Sequence, residues 1–370
     1  MRDFLDRHIP APPQNALVNQ HEQFHRAFEI LQSGIEQRAF PGASVAVLYQ
    51  GKLIALHGLG HFTYERDSPP VTPETIYDLA SLTKVVATTT MCMILVERGV
   101  LHLEQKVVKV LPEFATDDRR REAISFQMLL THSSGLPAHV KLYESAHNKE
   151  ELERQALKVP LNTDPGCRSE YSDIGFIVLG IALERLTHEP IDQFCHLEIF
   201  GLGLDRMTFN PPAHWQSSIP STGNAQTFRR HLIQGEVNDD NAWIMGGVAA
   251  HAGVFATAHD VSVFTHCMLS DGAPLVRPET VKLFTQRQSS PPGTSHALGW
   301  DTPSQPSQSG RYFSPSSYGH LGYTGTSLWI DPERQLSVTL LTNRTWPDCQ
   351  SQLIRQIRPA FHDAIIEALE

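Results

Sequence analysis

Strand-forming runs lie at the two ends of this 370-residue chain, and helical runs fill the middle. Near the start, Ser44 to Tyr49 and Leu53 to His57 flank Gln50-Gly51, a hairpin signal. Near the end, Tyr323 to Ile330 and Leu336 to Thr342 flank Asp331-Pro332-Glu333-Arg334, a second hairpin. Residues 105–275 read mostly as helix and loop, with helical runs at Phe126 to Leu130, Glu150 to Lys158, Gly175 to Leu186 and Asp260 to Leu269. The simplest architecture is an α/β domain built from both termini with a mainly helical domain inserted between its halves. The expected divisions are a loose lead-in over 1–20, an α/β domain over 21–77 plus 275–370, and a mainly helical domain over 78–274. Phe24, Phe28, Leu31 and Ile35 recur at helical spacing in 22–38, and 349–370 reads as a terminal amphipathic helix.

Composition removes several function classes. The chain is long enough for one large or two ordinary buried cores, and 41% hydrophobic with 19% charged residues is ordinary for a globular protein. A net charge of −10 argues against nucleic acid as a partner, because phosphate binding needs a basic face. Arg119-Arg120-Arg121 follows two aspartates and reads as a solvated turn. Apolar runs fall short of the ~18 residues that span a bilayer, so no membrane span is expected. The start, Met1-Arg2-Asp3-Phe4, is charged and has no signal-peptide core. A cytoplasmic location is the expectation, or a periplasmic one if a leader has been removed. The five cysteines are odd in number and widely spaced, which suits reduced thiols, and no Cys-x-x-Cys pair suggests structural zinc.

The chemistry concentrates around Ser81-Leu82-Thr83-Lys84. On a helix, positions i and i+3 share a face, so the hydroxyl and the amine can touch. A serine alcohol is a weak nucleophile and needs a base beside it. Lysine can be that base if burial or a positive potential lowers its pKa from about 10.4. Backbone N–H groups at a helix start can also meet a developing oxyanion. The spacing alone is weak evidence, and three further segments carry the case.

Tyr171-Ser172-Asp173 precedes a helical run; the phenol can share a proton with Lys84 as acid/base, or be a partly buried core tyrosine. His320-Leu321-Gly322-Tyr323-Thr324-Gly325 starts an edge-type strand, where glycines admit a close ligand backbone and His320 can hydrogen-bond a substrate. Gly246 to Gly253 is rich in small residues and reads as a tightly packed structural loop. His21-Glu22-Gln23-Phe24-His25 fits the H-E-x-x-H zinc pattern, but with no third histidine at the needed spacing it reads as a solvated helix.

In this order, these segments resemble the serine β-lactamase and DD-peptidase superfamily, specifically its class C-like branch with D-Ala-D-Ala carboxypeptidases and family VIII carboxylesterases. The likeness runs from about residue 40 to 345. Ser81 to Lys84 matches S-x-x-K, Tyr171-Ser172-Asp173 stands at Y-x-N, and His320-Leu321-Gly322 stands at K-T-G or H-T-G. Leu129 to Leu136 and Leu341-Thr342-Asn343-Arg344 support it. The resemblance implies a β-lactamase-like α/β fold, with an antiparallel sheet flanked by helices and the active site in the cleft beside the helical insert. It implies Ser81 as nucleophile, Lys84 and Tyr171 as proton carriers, and the backbone N–H groups of Ser81 and Tyr323 as oxyanion hole. Asp173, His320, Gly322 and Arg344 fall at substrate-binding positions. No metal and no organic cofactor is implied, and the partner is a small-molecule ester, amide or β-lactam.

Two departures shape the expectation. Asp173 replaces the usual Asn; it can pair with Lys84 or repel a substrate carboxylate. His320 replaces the usual Lys and removes a permanent positive charge, for which Arg344 is a candidate substitute. Both favour an ester or amide hydrolase over a β-lactamase or D-Ala-D-Ala carboxypeptidase. A non-catalytic sensor of the same fold is the more distant alternative.

Overall fold

A computed structural model of the chain describes residues 13–370 apart from 202, 225 and 227. The expected lead-in therefore lies outside the described residues up to position 12. From there on it is held: β1 (Gln14–Asn15) pairs in parallel with β3 (Lys52–Gly60), and the Ala16 N–H donates to the Leu53 carbonyl at 2.9 Å.

The described residues make nine strands. Besides β1 and β3 these are β2 (Gly42–Tyr49), β4 (Tyr77–Asp78), β5 (Thr208–Phe209), β6 (Val254–Ala256), β7 (Tyr318–Leu321), β8 (Ser327–Asp331) and β9 (Leu336–Thr342). The main sheet has the order β1-β3-β2-β9-β8-β7. Its centre is the antiparallel β2–β9 pair, in register from Ala43↔Thr342 to Tyr49↔Leu336, which joins the two ends of the chain. The β2–β3 turn closes in two residues because Gln50 and Gly51 both take positive φ, 49° and 75°. That backbone matches the right-handed twist of the flanking strands.

Both faces of the sheet are covered, which is why β2 reads as a continuous apolar run rather than an alternation. Val45, Val47, Val338 and Leu340 face His25–Glu36 and the C-terminal helix Ile354–Glu367, in a core with Phe24, Phe28, Leu31, Trp329 and Phe361. Ala46 and Leu48 face the other way into the larger core. Ala258–Leu269, read as part of the central helical segment, packs on this second face, where Thr265 and Ser337 hydroxyls meet at 2.7 Å.

Two sequence expectations are corrected. The strand expected from Tyr323 begins at Ser327, and 322–326 is a turn closed by the Gly322 N–H donating to the Thr326 carbonyl at 2.8 Å. His320 instead lies in β7, the edge strand. The second small sheet, β4-β6-β5, has strands of two or three residues, too short for any periodicity to show. One apolar stretch also exceeds the expectation: Ala80–Glu97 is 18 residues with mean hydropathy 1.3, enough by length and composition to cross a membrane. It is 83% buried within the fold, as a core helix is. It starts as a 3₁₀ turn, continues through a π-helical stretch (Lys84–Thr89) and becomes α-helical at Thr90.

The other central helix, Asp173–Thr187, is buried from Ile174 to Leu183 and capped by the Ser172 hydroxyl, which accepts from the Gly175 N–H at 2.9 Å. Gly180 on this helix lets the 246–253 loop approach: an added Cβ would lie 2.6 Å from Ala250 Cβ. Gly180→Ala should gain about 1 kcal/mol of helix propensity but strain the contact by about 1–3 kcal/mol. A net loss in urea-unfolding stability is expected; a more stable variant would show that the loop moves freely.

Candidate active site

Ser81 sits on a constrained turn. Ala80, just before it, has φ 48°, a region that non-glycine residues rarely occupy. The turn is held from both sides. The Asp78 carboxylate accepts from the Ala80 N–H at 2.8 Å and from the Asn238 N–H at 2.6 Å. From the β7–β8 turn, Thr324 and Thr326 hydroxyls donate to the Asp78 and Leu79 carbonyls at 2.8 and 2.9 Å. Burial raises the Asp78 pKa to about 6, with the two N–H groups and Arg229 pulling it back.

Lys84 follows one turn later and is fully buried. Its Nζ donates to Ser81 Oγ at 3.0 Å, to Asp173 Oδ1 at 2.7 Å and to the His251 carbonyl at 3.0 Å. All three ammonium hydrogens are thus directed. Tyr171 lies alongside, with Nζ 4.8 Å from its ring centroid, and Lys84 and Ser81 both act to lower the pKa of its phenol. One cavity of about 820 Å³ is lined by Ser81, Tyr171, Asp173, His320, Gly322, Tyr323 and Arg344, with Lys84 beneath its floor. The structure therefore brings together every site residue read from the sequence.

The charge states differ from the expectation of a lysine with a lowered pKa. Burial does pull Lys84 down, but the Asp173 carboxylate and the Tyr171 oxygen outweigh it, and the net shift is upward. Burial would raise Asp173, yet Lys84 and His139 hold it well below the usual carboxylate range. Burial pushes the Tyr171 phenol up to about 12. The resting centre is an ammonium–carboxylate pair beside a neutral phenol. The aspartate at the Asn position is the physical cause, since an amide would carry no charge to hold the proton on Lys84.

His320 is buried, and burial together with Lys84 lowers its pKa to about 3. It is a neutral imidazole whose Nδ1 donates to the Leu321 carbonyl at 2.8 Å. Its Nε2 is then an acceptor at the cavity wall, not a cation. Gly322 has a packing reason, because a Cβ there would lie 2.6 Å from the Leu79 carbonyl oxygen. Tyr323 is half exposed, and Arg344 Nε donates to its carbonyl at 2.8 Å.

Residues 27–359 match the family model described as Beta-lactamase. The chain belongs to this family. Among its relatives, a Bacillus subtilis protein named N-acetylmuramyl-L-alanine amidase is 33% identical, over 82% of this chain and 77% of its own length. An Escherichia coli protein named putative D-alanyl-D-alanine carboxypeptidase is 32% identical over 74% of this chain and 70% of its own. The fold is shared with an octameric penicillin-binding protein homologue from Pyrococcus abyssi (TM-score 0.71, 21% identity, 93% of this chain and 76% of that one). It is also shared with EstCE1, a hydrolase with promiscuous acyltransferase activity (TM-score 0.72, 20% identity, 93% and 100%). The β-lactamase-like fold and the family of hydrolases are thus established for this chain.

Around the motifs of this β-lactamase-family chain stand groups that motif reading passed over. His132 packs at a tilt against Tyr171, with centroids 4.6 Å apart, and its Nδ1 accepts from the Ser172 N–H at 3.0 Å. His139 Nδ1 is 3.7 Å from Asp173 Oδ2, and His251 Nε2 is 2.9 Å from Asp239 Oδ1. His132 and His251 stood within noticed strings, but His139 and Asp239 carry no local signal. His139, Asp173 and Asp239 bring ligand atoms within 4.8 Å of one another. Asp173 and Asp239 are already engaged by Lys84 and His251, so these carboxylates serve the protein's own side chains. The H-E-x-x-H segment does not converge: the helix breaks at Phe24, His21 packs on the His57 ring at 4.6 Å, and His25 faces Glu29 at 3.4 Å.

Removing one partner of a buried ion pair costs about 3–5 kcal/mol. Asp173→Ala should lose that order of stability in urea unfolding, and Asp173→Asn, which keeps an acceptor for Lys84, clearly less. Equal losses in the two variants would show that the charge of Asp173 is not what matters.

Proposed function

We propose that this chain is a serine hydrolase that cleaves an ester or amide bond through an acyl-Ser81 intermediate. The observation that carries the reading is the 3.0 Å contact between Ser81 Oγ and Lys84 Nζ at the floor of the 820 Å³ cavity. Ser81 Oγ attacks the substrate carbonyl and its proton passes to the Tyr171 oxygen, which acts in its phenolate form beside the Lys84 ammonium. The same proton then goes to the leaving group. Backbone N–H groups of Ser81 and Tyr323 stabilise the tetrahedral oxyanion, and water releases the acid. His320 offers an acceptor where a lysine would offer charge, which supports a small ester over a β-lactam. A second reading, an amide-cleaving carboxypeptidase or amidase, is favoured by the names of the two relatives above.

Exposure to p-nitrophenyl acyl esters, nitrocefin and a fluorophosphonate, followed by intact mass and peptide mapping, tests both readings. Expected are an adduct on Ser81, its loss in Ser81→Ala, and ester turnover above nitrocefin turnover. Rapid nitrocefin hydrolysis with negligible ester cleavage would overturn the preference, and no adduct with any probe would sink the acyl-enzyme.

The charge states also set a pH profile. Tyr171 is raised to about 12, so its base form grows as pH rises and kcat/KM should climb on the alkaline side. Asp173 raises both Lys84 and Tyr171. Asp173→Asn should therefore move the alkaline limb to lower pH. A limb that stays in place would rule out Asp173 as the group that holds these protons.

A further inference from the structure

The cavity that opens onto Ser81 is also lined by Arg344, Arg355 and Arg358. Arg344 follows β9, while Arg355 and Arg358 stand one turn apart at the start of the C-terminal helix Ile354–Glu367, on one face. Arg344 and Arg358 are buried, at 9% and 4% exposure, and Arg355 is exposed at the rim. Among the described residues, no carboxylate pairs with any of the three, although the other buried charges at this site, Lys84 and Arg229, both have one. Arg344 donates to the Tyr323 and Ser351 carbonyls, at 2.8 and 3.3 Å. Arg358 has two long contacts, to Gln308 Oε1 at 3.2 Å and the Thr326 carbonyl at 3.4 Å, and its Nε is buried without a partner.

Three physical costs coincide here. A buried guanidinium without a counter-charge is expensive. Burial, reinforced by repulsion from Arg344 and Arg355, lowers the Arg358 pKa to about 9. Cations at a helix N-terminus also oppose the helix dipole. Packing alone explains none of this, whereas an anion arriving from the cavity relieves all three. One carboxylate would balance one guanidinium and leave two, so charge matching asks for more than one negative charge.

We propose that Arg344, Arg355 and Arg358 form a subsite for a polyanionic group, a phosphate or a pair of carboxylates, carried by the substrate that acylates Ser81. The link to the substrate rests on the Ser81 reading above. The guanidinium of Arg344 lies 4.7 Å from the Tyr323 ring centroid. The anionic group therefore sits next to Tyr323, in the cavity that Ser81 also lines.

Two measurements on the full chain separate this inference from the hydrolase reading. The first is thermal unfolding with inorganic phosphate, tricarballylate or acetate at matched ionic strength. Phosphate or tricarballylate should raise Tm, acetate should not, and the shift should vanish in Arg355→Gln; whichever polyanion acts names the chemistry. Equal stabilisation by acetate, or none by either polyanion, would overturn the subsite. Arg358→Met should not lower Tm, since it removes an uncompensated charge; a fall would mark Arg358 as a structural staple and remove it from the subsite. The second measurement compares p-nitrophenyl esters of acetic, succinic and phosphonoacetic acids. The ratio of kcat/KM for the phosphonoacetyl over the acetyl ester should fall about tenfold or more in Arg355→Gln, with the succinyl ester between. An unchanged ratio overturns the assignment to the substrate. A Tm shift without turnover of any ester leaves the subsite standing and rejects the hydrolase reading.

Discussion

A buried ammonium has to be matched by charge and by directed acceptors, and Lys84 is matched by three separate pieces of the chain. Ser81 lies one turn before it, Asp173 opens the second central helix, and His251 belongs to the small-residue loop before β6. Bringing them to one nitrogen demands the close approach of that loop to Gly180 and the π-helical path of residues 84–89. Helix register, loop packing and the position of the hydroxyl therefore depend on the same buried charge. Its pairing with Asp173 makes the centre electrically neutral without ionising Tyr171.

The sheet's role is to hold the turn in front of that charge. β7 and β8 end at a hairpin whose two threonines bond the carbonyls just before Ala80. An alanine in a left-handed conformation is unfavourable by itself, and the fold keeps it there with bonds from the sheet side and from Asp78. Because β7 is the edge strand, His320 and the following turn stay open to the cavity. The site thus lies where the sheet built from both ends of the chain meets the helices inserted between them.

Much of this was legible. Ser81, Lys84, Tyr171 and His320 sit in local strings whose spacing or glycine content has a physical purpose, and the structure gathers them around one cavity. Hairpins at 50–51 and 331–334 were readable because turn residues interrupt apolar runs, and the second turn falls one residue later in the structure. Strand β7 was not, because a four-residue strand ending in a glycine-rich turn has too little pattern to separate from the turn itself. The apolar character of Ala80–Glu97 was underestimated because polar Ser, Thr and Lys side chains interrupt a stretch that is nonetheless buried. His139, Asp239 and the arginines of the last helix carry no local signal, since their meaning is a distance to something far along the chain.

Residue order by itself determined the two ends that pair, the nucleophile with its lysine, and the replacement of an amide by a carboxylate at position 173. Those are properties of local spacing and residue type. Only the tertiary structure decided which proton state follows. Burial alone would have freed the Lys84 amine, and Asp173 at 2.7 Å reverses that outcome. It likewise decided that His320 is neutral and that positive charge enters the cavity instead from Arg344, Arg355 and Arg358. Electrostatic energies depend on distance and on the removal of water, and neither quantity exists until the chain has folded.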